Sequence, residues 1–230
     1  MNSSRPRPAA RRPLPAEIDA VIFDCDGLLV DTEERWAVAE SALFARHGLG
    51  YGPAEKELFI GVAAPVAAAR MAAMFGRPGA EERILVELED GAAVAIAERA
   101  DPQPGALDLV RRLEAARPVA VASNSSRRLL ELALVSGGLA HLRDRSVSAE
   151  EVARPKPAPD LYLRACELLG VEPSRCVAFE DSATGAASAR AAGLYVIAVP
   201  SLPGELEHDW LLDSLADPEL LAWVESLPAR

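Results

Sequence analysis

The sequence has few cysteines and no long apolar run, and both shortages limit what the chain can be. The chain has three cysteines, an odd number, and their spacing is not that of a metal site: Cys25, Cys166 and Cys176. Each of them lies in an apolar stretch of the sequence. These features favour reduced thiols in a cytoplasmic protein. No apolar stretch approaches the roughly 20 residues that cross a bilayer, so we expect no membrane association. A proline-rich stretch rather than an apolar segment follows Arg11 and Arg12, so no export signal is predicted.

Positive charge is also scarce. The 230 residues include 35 acidic side chains against 24 lysines and arginines, which gives a net charge of −11. Residues 1–16 hold four arginines and no acid, and we expect them to form a disordered tail. Because this tail contributes +4, the rest of the chain carries −15. Such an acidic body repels nucleic acid, so we predict no nucleic-acid partner.

Apolar residues are abundant, at 50% of the chain, and their pattern changes along the sequence. Residues 31–100 contain helical patterns and no strand-like run, whereas strands and helices alternate after residue 101. Alternation of this kind is typical of a parallel sheet covered on both faces. We therefore predict an α/β fold, in which residues 17–30 and 101–230 form a Rossmann-like doubly wound core. Residues 31–100 form an inserted α-helical cap domain.

Some local features of this pattern are specific enough to test. In the helical segment, we expect helix breaks at 76–79 and at Gly91, and we expect Thr32 to cap the first helix. The predicted strands of the core lie at residues 20–23, 118–122, 146–148, 176–179 and 195–199.

Two aspartates lie at the end of the first predicted strand. Asp24 and Asp26 project to the same side of an extended chain, where two like charges held close together are costly without a cation or a proton. One interpretation is a site for a hard metal ion, in which the first carboxylate also acts as a nucleophile. The alternative is a buried strand that ends in an acidic turn. The motif alone does not separate these interpretations.

Further polar residues follow the later strands. Ser123 and Asn124 follow the second strand, Lys156 the third after a loop, and Glu180 and Asp181 the fourth. Ligands of open α/β sheets bind outside these strand ends. Ser123 and the acidic pair also suit helix capping, whereas the prolines around Lys156 favour a fixed, phosphate-binding lysine. Together the residues match the needs of phosphoryl transfer: a carboxylate nucleophile, a divalent cation and a fixed positive charge.

Four stretches of the chain resemble the four motifs of the haloacid dehalogenase superfamily of aspartate-nucleophile phosphatases and mutases. The closest subgroup is the one that contains β-phosphoglucomutase and the sugar-phosphate phosphatases. The stretches are DCDGLLVDTE, ASNSS, RPKPAPDLYL and FEDSATGAASARAAG. The resemblance covers nearly the whole chain beyond the tail. It implies that residues 31–100 are a mobile cap.

The resemblance also implies roles for the acidic residues. Asp24 attacks phosphorus and becomes an aspartyl phosphate, while Asp26 acts as general acid to the leaving oxygen and then as base for water. Mg²⁺ is held by Asp24, by the backbone carbonyl of Asp26 and by Asp181, and Glu180 binds it directly or through water.

The remaining core residues bind the phosphoryl group in this scheme. Ser123 and Lys156 grip the transferred group, Lys156 also holds the Asp24 carboxylate, and the amide of Asn124 lies nearby. Because an alkoxide leaving group needs a proton donor and a halide does not, the presence of Asp26 argues against dehalogenase activity.

We therefore predict a Mg²⁺-dependent phosphatase of small phosphate monoesters, such as sugar or polyol phosphates. Trp36, Phe59 and Ile60 are candidate substrate contacts from the cap, although the spacing of Trp36 also suits packing within the cap. Residues 58–64 lack the basic side chains with which related mutases hold a second phosphate. The alternatives are a β-phosphoglucomutase-type phosphomutase and a catalytically idle binding or regulatory relative. We expect a monomer or a weak homodimer.

Overall fold

The computed structural model describes residues 12–59, 62–201 and 206–228. Its centre is a parallel sheet. The strands in chain order are β1 (Ala20–Phe23), β2 (Val119–Ala122), β3 (Ser146–Val147), β4 (Cys176–Glu180), β5 (Tyr195–Ala198) and β6 (Trp210–Leu211). Their order in the sheet is β3-β2-β1-β4-β5-β6, and every neighbouring pair is parallel. The predicted α/β class is confirmed, and β6 is a strand that the sequence did not predict.

Helices cover both faces of this sheet. The α-helices of the described residues are α1 (Glu33–Arg46), α2 (Pro53–Glu57), α3 (Ala64–Met74), α4 (Glu81–Glu98), α5 (Ala106–Ala116), α6 (Arg127–Ser136), α7 (Asp160–Leu169), α8 (Ala183–Ala191) and α9 (Pro218–Ser226). Val21 and Phe23 of β1 pack in the apolar cluster that includes α5, α6 and α9, whereas Ala20 and Ile22 pack in the one that includes α7 and α8. This alternation is that of a strand buried on both sides.

The helical segment between β1 and α5 is built mainly on α4. Helices α1 and α3 both pack against α4, and α3 and α4 are separated at 75–80, which confirms the predicted break at 76–79. The break predicted at Gly91 is wrong, because α4 runs straight through it. A Cβ atom at Gly91 would lie 3.1 Å from the Cβ of Ala39 in α1. This glycine therefore lets two helices approach closely.

The helical segment enters and leaves the sheet at one place. Val30 and Pro102 form an antiparallel bridge, and the amide of Asp31 donates a hydrogen bond of 2.9 Å to the carbonyl of Asp101. Both connections to the segment therefore lie side by side, next to the carboxyl end of β1.

The N-terminal residues differ from the prediction. Residues 1–11 lie outside the described part of the chain, but residues 12–16, which were also expected to be disordered, contact the core. Arg12 pairs with the buried carboxylate of Asp209 at 2.9 Å, and the indole nitrogen of Trp223 donates to the carbonyl of Pro15 at 2.9 Å. The charge patterning of the tail did not reveal these long-range partners.

Two further findings concern the cysteines and the helices. All three cysteines are free and buried. None of the helices in the ranges that the structure describes is long and apolar enough to span a membrane.

Candidate active site

The site lies where the order of the sheet reverses. From β1 the chain continues to β2 and β3 on one side, and it then returns to β4 and β5 on the other. The crevice at the carboxyl ends of β1 and β4 is where such sheets bind ligands. Asp24 follows β1, while Glu180 is the last residue of β4 and Asp181 comes directly after it. The register of β1 and β4 places these carboxylates side by side.

A buried lysine joins two of these carboxylates. The Nζ of Lys156 donates to Oδ1 of Asp24 at 2.5 Å and to Oε1 of Glu180 at 2.6 Å, and its side chain is only 3% exposed. Burial alone would lower the pKa of Lys156, but the charges of Asp24 and Glu180 outweigh it, so the pKa is raised. Lys156 therefore stays a cation.

The loop that carries Lys156 is fixed by Asn124. The side-chain amide of Asn124 donates to the backbone carbonyl of Lys156 at 3.2 Å, and its oxygen accepts from the backbone amide of the same lysine at 2.9 Å. This two-point contact ties the loop after β3 to the loop after β2. The structure thus gives the Asn124 side chain a positioning contact, in addition to its place in the wall of the cavity described below.

The cluster contains more negative than positive charge. Ligand oxygens of Asp24, Glu180 and Asp181 lie within 4.8 Å of one another. Burial raises the pKa of Asp24 although Lys156 opposes the shift. Burial and then the charge of Glu180 raise the pKa of Asp181 to about 7. A set of closely spaced carboxylate oxygens that is short of positive charge fits a hard divalent cation such as Mg²⁺.

Two glycines make room for this cluster. A Cβ atom at Gly27 would overlap Oδ2 of Asp181, and the backbone of Gly27 also has a φ of +84°. A Cβ atom at Gly185, in the first turn of α8, would overlap the carboxylate of Glu180. Any side chain at these positions would push the two acids out of place.

Asp26 has a separate environment of hydroxyl groups. Its Oδ2 accepts hydrogen bonds from the hydroxyls of Ser123 at 2.8 Å and Ser125 at 2.9 Å, and its Oδ1 accepts one from Thr32 at 3.0 Å. Thr32 occupies the N-cap position of α1 as predicted, but its hydroxyl binds Asp26 and makes no cap hydrogen bond. Ser123 does not cap a helix, since α6 begins after Ser126. These three hydroxyls orient the Asp26 carboxylate.

A cavity of about 560 Å³ opens over Asp24 and Asp26. Its opposite wall comes from the helical segment. Trp36 lines this cavity and also packs against the core, and Phe59 lines it while 4% exposed, with its ring edge-on to Phe44. Ile60, the third predicted contact, lies outside the described residues. The volume is that of a small-molecule site.

Acidic side chains also line the helical side of the cavity, and the sequence did not identify them as part of the site. Burial, followed by the charge of Asp26, raises the pKa of Glu33 to about 6. Burial likewise raises the pKa of Glu40, which accepts a hydrogen bond from Tyr51. Lys56 also lines the cavity, but it is paired with Glu34, on the same segment, at 2.7 Å.

Tyr162 is a further site residue that sequence reasoning missed. Its hydroxyl donates to Oε1 of Glu180 at 2.6 Å, and its ring centre lies 5.1 Å from the Nζ of Lys156. The side chain is completely buried, and burial raises the pKa of its hydroxyl. Its position six residues after Lys156, within RPKPAPDLYL, was the available signal.

Comparisons with known proteins agree with this geometry. The model of the haloacid dehalogenase-like hydrolase family matches residues 18–193. The chain is 32% identical over 201 residues to validoxylamine A 7'-phosphate phosphatase of Streptomyces hygroscopicus subsp. limoneus, covering 87% of this chain and 91% of the relative. It is 34% identical over 218 residues to hexitol phosphatase B of Escherichia coli, covering 92% and 95% respectively.

A solved structure is similar over nearly the same length. The crystal structure of CbbY from Rhodobacter sphaeroides in complex with phosphate matches with a TM-score of 0.78 and 30% identity, covering 90% of this chain and 99% of that one.

Proposed function

Since the chain belongs to the haloacid dehalogenase-like hydrolases and its relatives include named phosphatases, we propose that it is a Mg²⁺-dependent phosphatase of sugar or polyol monophosphates. In this proposal the reaction passes through an aspartyl phosphate. The observation that carries this proposal is the position of Asp24. It is held by Lys156 at 2.5 Å, belongs to a carboxylate cluster within 4.8 Å, and opens on a cavity of small-molecule size.

Asp24 is the nucleophile in this proposal. Lys156 binds its Oδ1, which fixes the carboxylate and reduces the repulsion between it and a phosphate dianion. An ammonium group has three N–H donors, and Lys156 gives two of them to Asp24 and Glu180. The third has no hydrogen-bond partner among the described residues, and we assign it to an oxygen of the transferred phosphoryl group.

Asp24 and Asp181 would hold Mg²⁺ together with the backbone carbonyl of Asp26, and Glu180 would contact the ion directly or through water. When bound, the ion supplies positive charge that lets a carboxylate and a phosphate approach each other. The donor set supports this assignment, because Asp24 and Asp181 are hard oxygen donors that lie, with Glu180, within 4.8 Å of one another.

Asp26 is the general acid and base. It protonates the leaving alkoxide when Asp24 attacks phosphorus, and it later accepts the proton of the water that hydrolyses the aspartyl phosphate. The hydroxyls of Ser123, Ser125 and Thr32 position its carboxylate. In this structure the hydroxyl of Ser123 donates to Asp26. We propose that this hydroxyl donates to the phosphoryl group instead when substrate is bound.

The cavity supports a substrate with one phosphate and several hydroxyls. Both lysines of the chain line it, but Lys56 is paired with Glu34, and Lys156 with Asp24 and Glu180. No arginine lines the cavity among the described residues. A second phosphate on the substrate would thus meet no unpaired cation among the described residues, which disfavours a phosphomutase. The carboxylates of Glu33 and Glu40 can instead accept hydrogen bonds from the hydroxyl groups of a sugar or polyol.

A screen of phosphorylated metabolites with Mg²⁺ tests the proposal. We expect release of inorganic phosphate from hexose and hexitol monophosphates, slower release from the corresponding bisphosphates, and no release after chelation of the metal. Asp24→Asn should abolish turnover. The matched control is Asp19→Asn, which changes a partly exposed aspartate paired with Arg175. Hydrolysis by Asp24→Asn would refute the nucleophile. Conversion of β-glucose 1-phosphate to glucose 6-phosphate without free phosphate would identify a mutase, and inactivity on every substrate would favour a binding protein.

A further inference from the structure

We propose that Tyr162 is a positioning residue for the phosphatase reaction: through Glu180 it fixes the ammonium group of Lys156 against Asp24. The inference rests on the function proposed above. It gives the buried hydroxyl of Tyr162 a role, and it distinguishes the role of Glu180 from those of Asp24 and Asp181.

The hydrogen bonds of Glu180 define this task. Its Oε1 accepts from Lys156 and from Tyr162, each at 2.6 Å. Its Oε2 accepts from the amide of Asp181 at 3.2 Å, and from the amide and hydroxyl of Ser182 at 3.5 and 3.2 Å. Both oxygens are therefore engaged by protein donors, and the residue is completely buried. Glu180 accordingly acts through Lys156, and direct contact with a divalent cation falls to Asp24 and Asp181.

A tyrosine suits the position because it adds a donor without adding charge. The hydroxyl donates to Oε1 of Glu180 at 2.6 Å and directs this oxygen toward the lysine. The ring meanwhile lies 5.1 Å from Nζ of Lys156, where the electron-rich face of an aromatic ring attracts a cation. A lysine side chain has four flexible carbon–carbon bonds, so its ammonium group needs such supports to remain at one point.

The neighbours of Tyr162 show that packing alone does not require the hydroxyl. On α7 it belongs to the buried stripe with Leu161, Ala165 and Cys166, where phenylalanine would fill nearly the same volume. Among the described residues, the one hydrogen-bond partner of the hydroxyl is Glu180. Removal of the hydroxyl thus leaves the core filled and withdraws one donor from Oε1.

The test compares Tyr162→Phe with Tyr195→Phe. Tyr195 also donates through its hydroxyl, to the backbone carbonyl of Arg12, but lies outside the site. We expect Tyr162→Phe to lower kcat/KM for a hexose monophosphate about tenfold, the effect of one hydrogen bond to a charged group. Calorimetry with Mg²⁺ present should show weaker binding of inorganic phosphate. Tyr195→Phe should match the wild type in both measurements.

Binding of Mg²⁺ in the absence of substrate separates positioning from metal binding. We expect the dissociation constant of Mg²⁺ to stay within twofold of wild type in Tyr162→Phe, whereas Asp181→Asn should raise it at least tenfold. Should Tyr162→Phe fail to fold in a thermal scan, Glu180→Gln carries the test, with the same expected loss of kcat/KM.

Three results would overturn the inference. They are an unchanged kcat/KM in the folded variants, an unchanged phosphate affinity, or a loss of Mg²⁺ affinity comparable to that of Asp181→Asn. If the wild-type protein hydrolyses no monophosphate, the proposed function fails and takes this inference with it. Wild-type activity together with an unaffected Tyr162→Phe refutes the role of Tyr162 alone.

Discussion

Replacement of Lys156 by methionine tests whether the site depends on one buried cation. Methionine keeps much of the length of the side chain but leaves Asp24 and Glu180 without their shared partner. Breaking a buried ion pair from one side costs about 3–5 kcal/mol, because the remaining charge stays buried and unpaired. For a chain of this size, about 1 kcal/mol corresponds to roughly 2–4 °C in Tm. We therefore expect Tm to fall by about 6–20 °C.

The assay is thermal unfolding in metal-free buffer at pH 5 and pH 8. The loss should be larger at pH 8, because Asp24 without its lysine takes up a proton at low pH and the unpaired charge disappears. In the proposed function, Mg²⁺ would bind the folded protein and supply positive charge to the same cluster. It should therefore restore part of the lost stability, and it should raise Tm more in the variant than in the wild type.

Lys56→Met is the matched control. Lys56 pairs with Glu34 at 2.7 Å, but the two side chains are 32% and 59% exposed, and solvated pairs of this kind contribute at most about 1 kcal/mol. Its Tm should fall by less than about 4 °C. The reasoning is refuted if Lys156→Met unfolds within 2 °C of the wild type in metal-free buffer at pH 8, or if the two variants lose equal stability.

Three further predictions each concern a single residue. The raised pKa of Glu33, about 6, means that the folded state holds this proton more tightly than the unfolded chain, so stability falls as pH rises from about 4.5 to 6. Thermal scans should therefore show that Glu33→Gln raises the free energy of unfolding by about 1 kcal/mol at pH 7.5 and leaves it unchanged at pH 4. This gain is smaller than the full pKa shift implies, because the side chain is partly solvated. An equal gain at both pH values would contradict this prediction. Gly185→Ala should reduce phosphate release at least tenfold, since the added Cβ displaces Glu180; a wild-type rate would show that the carboxylate can move without consequence. Arg12→Ala should lower the free energy of unfolding in urea by about 1 kcal/mol, because Asp209 is buried and loses its nearest cation; an unchanged midpoint would show that Arg190, 3.4 Å away, suffices.

The convergence of the main site residues was predictable because it follows from sheet topology. Asp24, Lys156 and Asp181 each follow a strand of a parallel sheet, and the carboxyl ends of such strands share one edge. Polar residue types at strand ends were therefore enough to place these side chains together. The strand order itself was not predictable, because short buried strands carry no sign of which neighbour they pair with.

Other features lay beyond the reach of sequence patterns for physical reasons. Tyr162 occupies a buried position on an amphipathic helix. The hydrophobic periodicity of the sequence does not distinguish a tyrosine whose hydroxyl makes a hydrogen bond from an aromatic ring that only packs. Thr32 stands where a helix cap is expected, but its hydroxyl has a better acceptor in the Asp26 carboxylate. Strand β6 has two residues, which is too few for any alternation to show. Gly91 signalled a break because glycine weakens helices, whereas here it permits close helix packing.

The antiparallel bridge between Val30 and Pro102 has a consequence for how such enzymes diversify. Since the polypeptide departs from the sheet and rejoins it at adjacent points, insertions or deletions among the helices that follow Thr32 leave the spacing of the strands unchanged. Evolution or an engineer can therefore substitute one set of helices for another, changing which molecules are admitted, while the chemical machinery on the sheet is inherited intact.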